Sequence, residues 1–537
     1  VINVDFKHEL YHRSNSGQAK MTDSANKLVL GLEVLAIAAF FLFVVDSSAV
    51  ATEKPMLTIP LPPVELNLDP HKMDDWYSMA ANLQLHRGLF RYTAGGDVTG
   101  DLAKDWKVSA DGKTFTVNLE EGLTFSNGTP IKADDVVRSF ARIFLVGSSI
   151  GADIDYIEGA KHVRDSKRLD HFGVRALNDH SVEFRLERRS GLFTKHLATP
   201  DCAILFLVKE DLGTYKPGPG TPTSGPYRIA ESTKDHLRLS KWRKSSLDSD
   251  RPPETIIFDL SGRVAYDLAL AGAADTLDHI QLDARQMQEL SKVGWRPEVA
   301  STMWERFIVM NPKTLAEGVR RTLLEALDPD EVAAKLDGGF FFPAFGIVPT
   351  GLPGSLTRAD VRELRKAPPK PLEQRVKVRL EFMQGSPASE RVASVVKELA
   401  HKYGIDVELI PLTSVKDFLA RKSAKDFELL MGMRGLDYPD GYSVLTYFKS
   451  AYEGNWFQIA DPSIDQLLNE LPSIMNPEER AQGYKDAQLR ILRHYTVAPL
   501  LFGAPSSGYW GPRATKVPPH PMGLHFLPME SVEVASK

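Results

Sequence analysis

An α/β fold divided into more than one domain is predicted by three observations. Residues 376–431 carry an alternation of strand and helix patterns. Val376, Val378, Leu380 and Phe382 alternate, Val392, Val395, Val396 and Leu399 recur at i, i+3, i+4 and i+7, and Ile405, Val407 and Leu409 alternate again. A helix over 415–421 and a strand over 427–431 complete a βαβαβ unit, for which a parallel sheet with helical crossovers is the expected solution. Residues 102–119 and 173–186 instead read as antiparallel hairpins. Finally, 537 residues, 43% of them hydrophobic and 25% charged, can bury several cores, and about 150 residues per domain suggests roughly three.

The elements follow in order. Residues 28–45 are an apolar run interrupted by Glu33, followed by Ala49-Val50-Ala51 with the small-x-small spacing of a signal-peptidase site. Residues 1–51 are therefore expected to be a leader cleaved after Ala51, with translation starting at Met21. An uncleaved anchor is the competing reading, against which Glu33 at a bilayer centre would cost roughly 2 to 3 kcal/mol. Residues 57–70 read as extended and proline-rich. Met79, Leu83, Leu89 and Phe90 suggest a helix across 79–90 that ends before the loop at Gly95-Gly96. Trp106 and Val108 precede a turn at Asp111-Gly112, after which Phe115, Val117 and Leu119 alternate. Beyond Asn127-Gly128, Asp134 and Asp135 suit a helix N-terminus, with Val136, Val137, Phe140, Ile143 and Phe144 on one face.

A second hairpin turns at Asn178-Asp179, and a strand is expected around Leu237-Arg238-Leu239. The pattern changes near residue 302, where a strand at 307–311 leads into a helix over 319–328. Asp461-Pro462 and Asn476-Pro477-Glu478-Glu479 place capping side chains before proline at the first helical position. A strand at 498–502 precedes a proline-rich tail.

Composition excludes several functions. Without residues 1–51 the chain keeps 61 basic and 65 acidic side chains, a near-balance unlike the clustered positive charge that phosphate backbones require. Nucleic acid is not an expected partner. Cys202 is the only cysteine, so neither an intramolecular disulfide nor a cysteine metal site is available. Gly147-Ser148-Ser149-Ile150-Gly151 matches G-x-S-x-G, but a nucleophile elbow needs a strand before the serine, and here an amphipathic helix precedes it. A serine hydrolase is thus a remote alternative. P-loop and H-E-x-x-H patterns are absent and the fourteen histidines are scattered. The reading is of a non-enzyme with no catalytic residues, no cofactor and no metal.

Taken together, the early Trp106, Asp111-Gly112, the strand ending in Leu119, Phe125-Ser-Asn-Gly-Thr-Pro130 and Ala133-Asp-Asp-Val136 closely resemble the signature of the family 5 extracellular solute-binding proteins, which serve oligopeptide and dipeptide ABC importers. Leu68-Asp69-Pro70, Thr223-Ser-Gly-Pro-Tyr227 and the strand ending in Asn311 are similar to family features as well, and the resemblance covers residues 56–510. It implies a two-lobe periplasmic-binding-protein-like fold of class II type with an extra subdomain in the first lobe. Residues 52–90, 174–302 and 505–537 would form lobe 1, 91–173 its extra subdomain, and 303–504 lobe 2, with the terminal segment returning to lobe 1. It also implies a periplasmic monomer that closes on a peptide or similar small polar ligand and delivers it to an inner-membrane ABC permease. The alternative is a membrane-anchored receptor or chaperone-like protein using the same fold without transport.

The resemblance further implies site residues. Met433-Arg434-Gly435-Leu436-Asp437-Tyr438 lies just past the strand predicted at 427–431, where ligands of open parallel sheets bind. Asp437 matches the family's carboxylate for a peptide α-ammonium group, with a turn-capping role at 438–441 as the competing reading. Met433 and Arg434 stand where relatives have Gly-Trp. Arg434 would meet a ligand carboxylate if it points inward and is a solvated arginine otherwise. Val415 occupies a place where peptide binders often present an aromatic. The opposing wall is expected from Asp74 and Trp76, for which the competing reading is a solvated turn with Asp75 as helix cap.

Overall fold

The computed structural model describes residues 54–537, except 209–211, 278–281, 283, 298–302, 337–340, 366–369, 386, 453–454, 504–507, 521 and 536–537. The leader reading of residues 1–51 and the crossings expected near 302 and 505 lie outside the described residues. No described helix is long and apolar enough to cross a membrane.

Three larger sheets carry the fold. The first is four-stranded in the order Met56–Pro60, Thr255–Asp259, His236–Lys241, Tyr227–Ser232, with only the first pair parallel. The second joins both predicted hairpins, in the order Ala103–Val108, Thr114–Leu119, Ser181–Arg185, Val174–Asn178, all antiparallel. Helix Ala133–Val146 packs on it, burying Val136, Phe140, Ile143 and Phe144. The helix ends where Gly147 takes φ 70°, a left-handed conformation that glycine adopts without a Cβ penalty.

The third sheet is six-stranded, in the order Phe342–Pro343, Val497–Phe502, Trp304–Met310, Leu429–Gly435, Val376–Met383, Ile405–Leu412. Its last three strands are the predicted parallel unit, with helices Pro387–His401 and Val415–Ala424 as crossovers. The sheet as a whole is mixed, because strand 304–310 enters antiparallel to both 429–435 and 497–502. Asp461 and Asn476 cap helices Pro462–Glu470 and Pro477–Leu492 as their sequence suggests.

The tail does not stand apart. Tyr509–Trp510 pairs with both Thr276–Leu277 and Arg296–Pro297, and Leu527, Met529, Val532 and Val534 are buried in one core with Leu57, Ile59 and Phe258 of the first sheet. The buried Glu530 carboxylate accepts from Arg87, which also sits 3.5 Å from Asp101.

Two of the boundaries that differ from the sequence reading bear on the site. The helix predicted over 79–90 runs Trp76–Leu85 and stops because His86 is extended, while Phe90–Tyr92 pairs with Val98–Gly100. Leu89 and Phe90 are buried, but as part of this ribbon rather than of the helix. The strand predicted at 427–431 runs Leu429–Gly435, since strand 304–310 pairs with it over seven residues, ending at Trp304 opposite Gly435. Met433, Arg434 and Gly435 therefore belong to the strand and do not follow it.

Candidate ligand-binding site

A cavity of about 360 Å³ opens where four chain segments meet: residues 73–79, 149–153, 199–201 and 437–438. The first and fourth segments are held from behind by buried polar contacts.

The first is anchored through Asp69-Pro70-His71. The Asp69 carboxylate accepts two bonds from the buried Arg142 guanidinium, at 2.8 and 2.6 Å, and His71 Nε2 lies 3.0 Å from the Ala203 carbonyl. Burial, with the positive Arg142 next, lowers the His71 pKa to about 4, so the ring is neutral near pH 7. Asp75 then caps helix 76–85 by accepting from the Ser78 N–H at 2.8 Å. This orients Trp76, the first helical residue, along the cavity wall. Its ring packs on Trp304 at 5.8 Å, His525 at 5.6 Å and Phe526 at 6.2 Å. Asp75 is thus a cap, and Asp74, Asp75 and Trp76 all line the cavity as well.

The second segment follows Gly147 as a short 3-10 turn, Ser149–Ala152. The serine of the G-x-S-x-G match follows a helix end instead of a strand, so the elbow geometry is absent at this position. Asp153 faces the cavity after it. The third segment is the turn Pro200–Cys202, which places Asp201 at the cavity wall.

The fourth segment continues strand 429–435. Leu436 N–H donates to the Met303 carbonyl at 3.2 Å, Asp437 N–H donates to Ser443 Oγ at 3.0 Å, and Tyr438 is buried edge-on to His196 with centroids 5.0 Å apart. The turn at 438–441 is held by Asp440. Its carboxylate accepts from the Tyr442 N–H at 2.9 Å and the Tyr484 hydroxyl at 2.6 Å, and pairs with Lys195 at 2.8 Å. Burial alone would raise the Asp440 pKa, but Lys195 and these donors hold it below the usual carboxylate range. With Asp440 as the turn anchor, the Asp437 carboxylate faces the cavity, where the Tyr447 hydroxyl also reaches it.

The cavity is acidic. Its charged lining residues are Asp74, Asp75, Asp153, Asp201 and Asp437, with no Lys, Arg or His among the lining residues. Asp201 is pushed up to about 7, chiefly by burial and further by Asp437 and Asp153. Asp153 is pushed up to about 6 by confinement and then by Asp437, and Asp437 is raised by the same confinement against the Tyr447 hydrogen bond. Asp153 and Asp437 remain open to cavity water while protein surrounds them on most sides, so their shifts reflect confinement and not dry burial. Met73, Met79, Ile150 and Trp76 supply the apolar part of the wall.

Of the residues singled out in the sequence, Asp74, Trp76, Asp437 and Tyr438 share this cavity, while Met433, Arg434 and Gly435 lie along the strand leading to it. Arg434 points neither at the cavity nor into solvent: it pairs with the fully buried Glu305 at 2.6 Å and stacks over Phe307 and Phe448. Met433 is half exposed, and Gly435 faces the Trp304 ring. Val415 is exposed on its helix. Asp153 and Asp201 had no sequence signal, being single acids in short irregular turns.

Comparison with known proteins agrees with the fold. The family described as bacterial extracellular solute-binding proteins, family 5 Middle, matches residues 97–456. The oligopeptide-binding protein OppA of Bacillus subtilis is 24% identical over 487 residues, covering 84% of this chain and 88% of the relative. The periplasmic murein peptide-binding protein MppA of Escherichia coli is 22% identical over 512 residues, covering 89% and 94%. Among solved structures, the unliganded open form of the MppA murein tripeptide-binding protein superposes with a TM-score of 0.73 at 20% identity, covering 90% of this chain and 98% of that one.

Proposed function

The chain belongs to the family 5 bacterial extracellular solute-binding proteins, and from that premise we propose that it captures a peptide, or a similar small polar ligand, and hands it to an inner-membrane ABC permease outside the cytoplasmic membrane. It acts as a carrier and performs no chemistry on its cargo. The observation that carries this reading is the division of labour between two neighbouring acids. Asp440 holds the turn through Lys195 and Tyr484, which leaves Asp437 facing the cavity beyond the carboxyl end of a parallel strand. A carboxylate so placed meets a ligand ammonium group by a charge-assisted hydrogen bond that is independent of the peptide's side chains.

Residues 52–90, 174–302 and 505–537 act in this reading as one lobe, with 91–173 as its subdomain, and 303–504 as the other. Ligand selects the closed arrangement by binding it more tightly than the open one. The named relatives are peptide-binding proteins, which supports peptide as the cargo class.

The test has two parts. Native mass spectrometry of protein purified from its own host should show a retained mass that fragments as a peptide, and calorimetry should detect binding within a panel of di- to pentapeptides. A protein with no retained ligand that binds none of the panel would overturn the proposal. Recovery of the chain only from membranes, with residues 28–45 intact, would favour the anchored receptor.

A further inference from the structure

We propose that the cavity is built for a ligand with two cationic centres, one held at Asp437 and the second at Asp201 and Asp153; on the peptide reading above, on which this rests, that ligand is a peptide whose first residue is Lys or Arg.

The argument begins with Asp201. It is only 9% exposed and lines the cavity, yet among the described residues its carboxylate has no hydrogen bond or ion pair beyond that to its own backbone N–H. The donors beside it are turned away. The Thr199 hydroxyl donates to the His196 carbonyl at 2.8 Å, and the Cys202 thiol contacts the same oxygen at 3.4 Å. A buried carboxylate without a partner is costly and uncommon in a folded protein, so a group left this way and aimed into a cavity marks a place where a partner arrives from outside.

One incoming ammonium does not balance this cavity. Asp75 is occupied as a helix cap and Asp437 takes the first ammonium, but Asp74, Asp153 and Asp201 remain, the last two within electrostatic reach of Asp437. With no basic side chain in the lining, a single positive charge leaves the walls strongly negative. A metal ion is a poor occupant, because among the described residues no group of three His, Cys, Asp or Glu is placed to hold one. Carboxylates that do not gather around one point suit two separated organic cations better than one compact ion. Met73, Met79 and Ile150 line the same cavity and offer an apolar surface for the methylene stem that joins an α-ammonium to a lysine or arginine head.

The test is isothermal calorimetry at pH 8 on the full-length protein with Lys-Ala-Ala, its norleucine counterpart Nle-Ala-Ala, and cadaverine, repeated on Asp201→Asn and Asp153→Asn. The wild type should bind Lys-Ala-Ala about tenfold or more tightly than Nle-Ala-Ala, the worth of one recovered charge pair. Asp201→Asn should erase most of that ratio, weakening Lys-Ala-Ala far more than Nle-Ala-Ala. Equal binding of the two peptides by wild type would overturn this inference and leave the peptide reading standing. Binding of cadaverine with neither peptide bound would keep the two-cation site and overturn the peptide reading. Binding of none of the three would overturn the two-cation site. Where Asp201→Asn does not fold, the wild-type ratio and Asp153→Asn decide.

Discussion

Arg434 and Glu305 face each other from directly paired positions on neighbouring antiparallel strands and form an ion pair at 2.6 Å, with the carboxylate fully buried and the guanidinium lying over Phe307 and Phe448. This pair fixes the end of strand 429–435 from which Asp437 projects. It also holds the Arg434 guanidinium away from any contact with a ligand.

Breaking the pair from one side should be expensive. Arg434→Met leaves Glu305 buried without its partner and should cost about 3 to 5 kcal/mol by urea denaturation at pH 8, whereas Arg434→Met with Glu305→Leu should recover most of the loss. Burial raises the Glu305 pKa to about 7, and Arg434 opposes that rise. Because the folded pKa lies above the unfolded value, this group's contribution to stability falls as pH rises from about 4.5 to 7. The Arg434→Met penalty should therefore shrink at pH 5, where Glu305 takes up a proton. A penalty equal at both pH values would show that packing, not charge, is at stake.

The ammonium role of Asp437 predicts a selective loss. Asp437→Ala should weaken binding of a peptide with a free N-terminus by about 2 to 5 kcal/mol, the usual cost of removing one partner of a buried charge pair. The N-acetylated peptide should already bind the wild type poorly and lose little on substitution. Equal losses for both peptides would place the effect in the fold instead.

Binding of a cationic ligand should tighten as pH rises from 5 to 8. Asp153 and Asp201, raised to about 6 and about 7, are partly protonated below neutrality in the empty cavity, where Asp74, Asp75 and Asp437 also face them. A cation favours their ionised forms, so binding near pH 6.5 should release protons. Calorimetry in two buffers of different ionisation enthalpy measures that release directly. Proton uptake, or no linkage at all, would rule out these two acids as cation partners.

The tail is predicted to be part of the fold. Glu530 is fully buried, accepts from Arg87 and from the Ser245 hydroxyl at 3.1 Å, and ties residues beyond 520 to the helix 76–85 region. Glu530→Ala should lower stability by about 3 to 5 kcal/mol, leaving Arg87 with the more distant Asp101 carboxylate and the Leu83 and His86 carbonyls. Glu533→Ala, which removes a part-exposed pair with Arg251 at 3.4 Å, should cost about 1 kcal/mol or less. A thermal-melt series in which both substitutions behave alike would contradict this assignment.

What the sequence determined by itself was local in origin. Both hairpins, helix 133–146, the βαβαβ order of 376–435 and the two proline-led caps follow from side-chain period and turn chemistry, which act over a few residues and are readable from them. The family signature added Asp437, Asp74 and Trp76, and these three do share a cavity. Tertiary structure alone decided the rest. Strand 429–435 is longer than its own pattern because a partner 125 or so positions earlier in sequence pairs with it, and Phe90 leaves its apparent helix for a ribbon. Arg434 found Glu305 at a separation of 129 residues, and Asp153 and Asp201 met Asp437 across still longer ones. Such contacts carry no periodicity, because the energy that makes them comes from burial and charge between segments brought together only when the sheets pack.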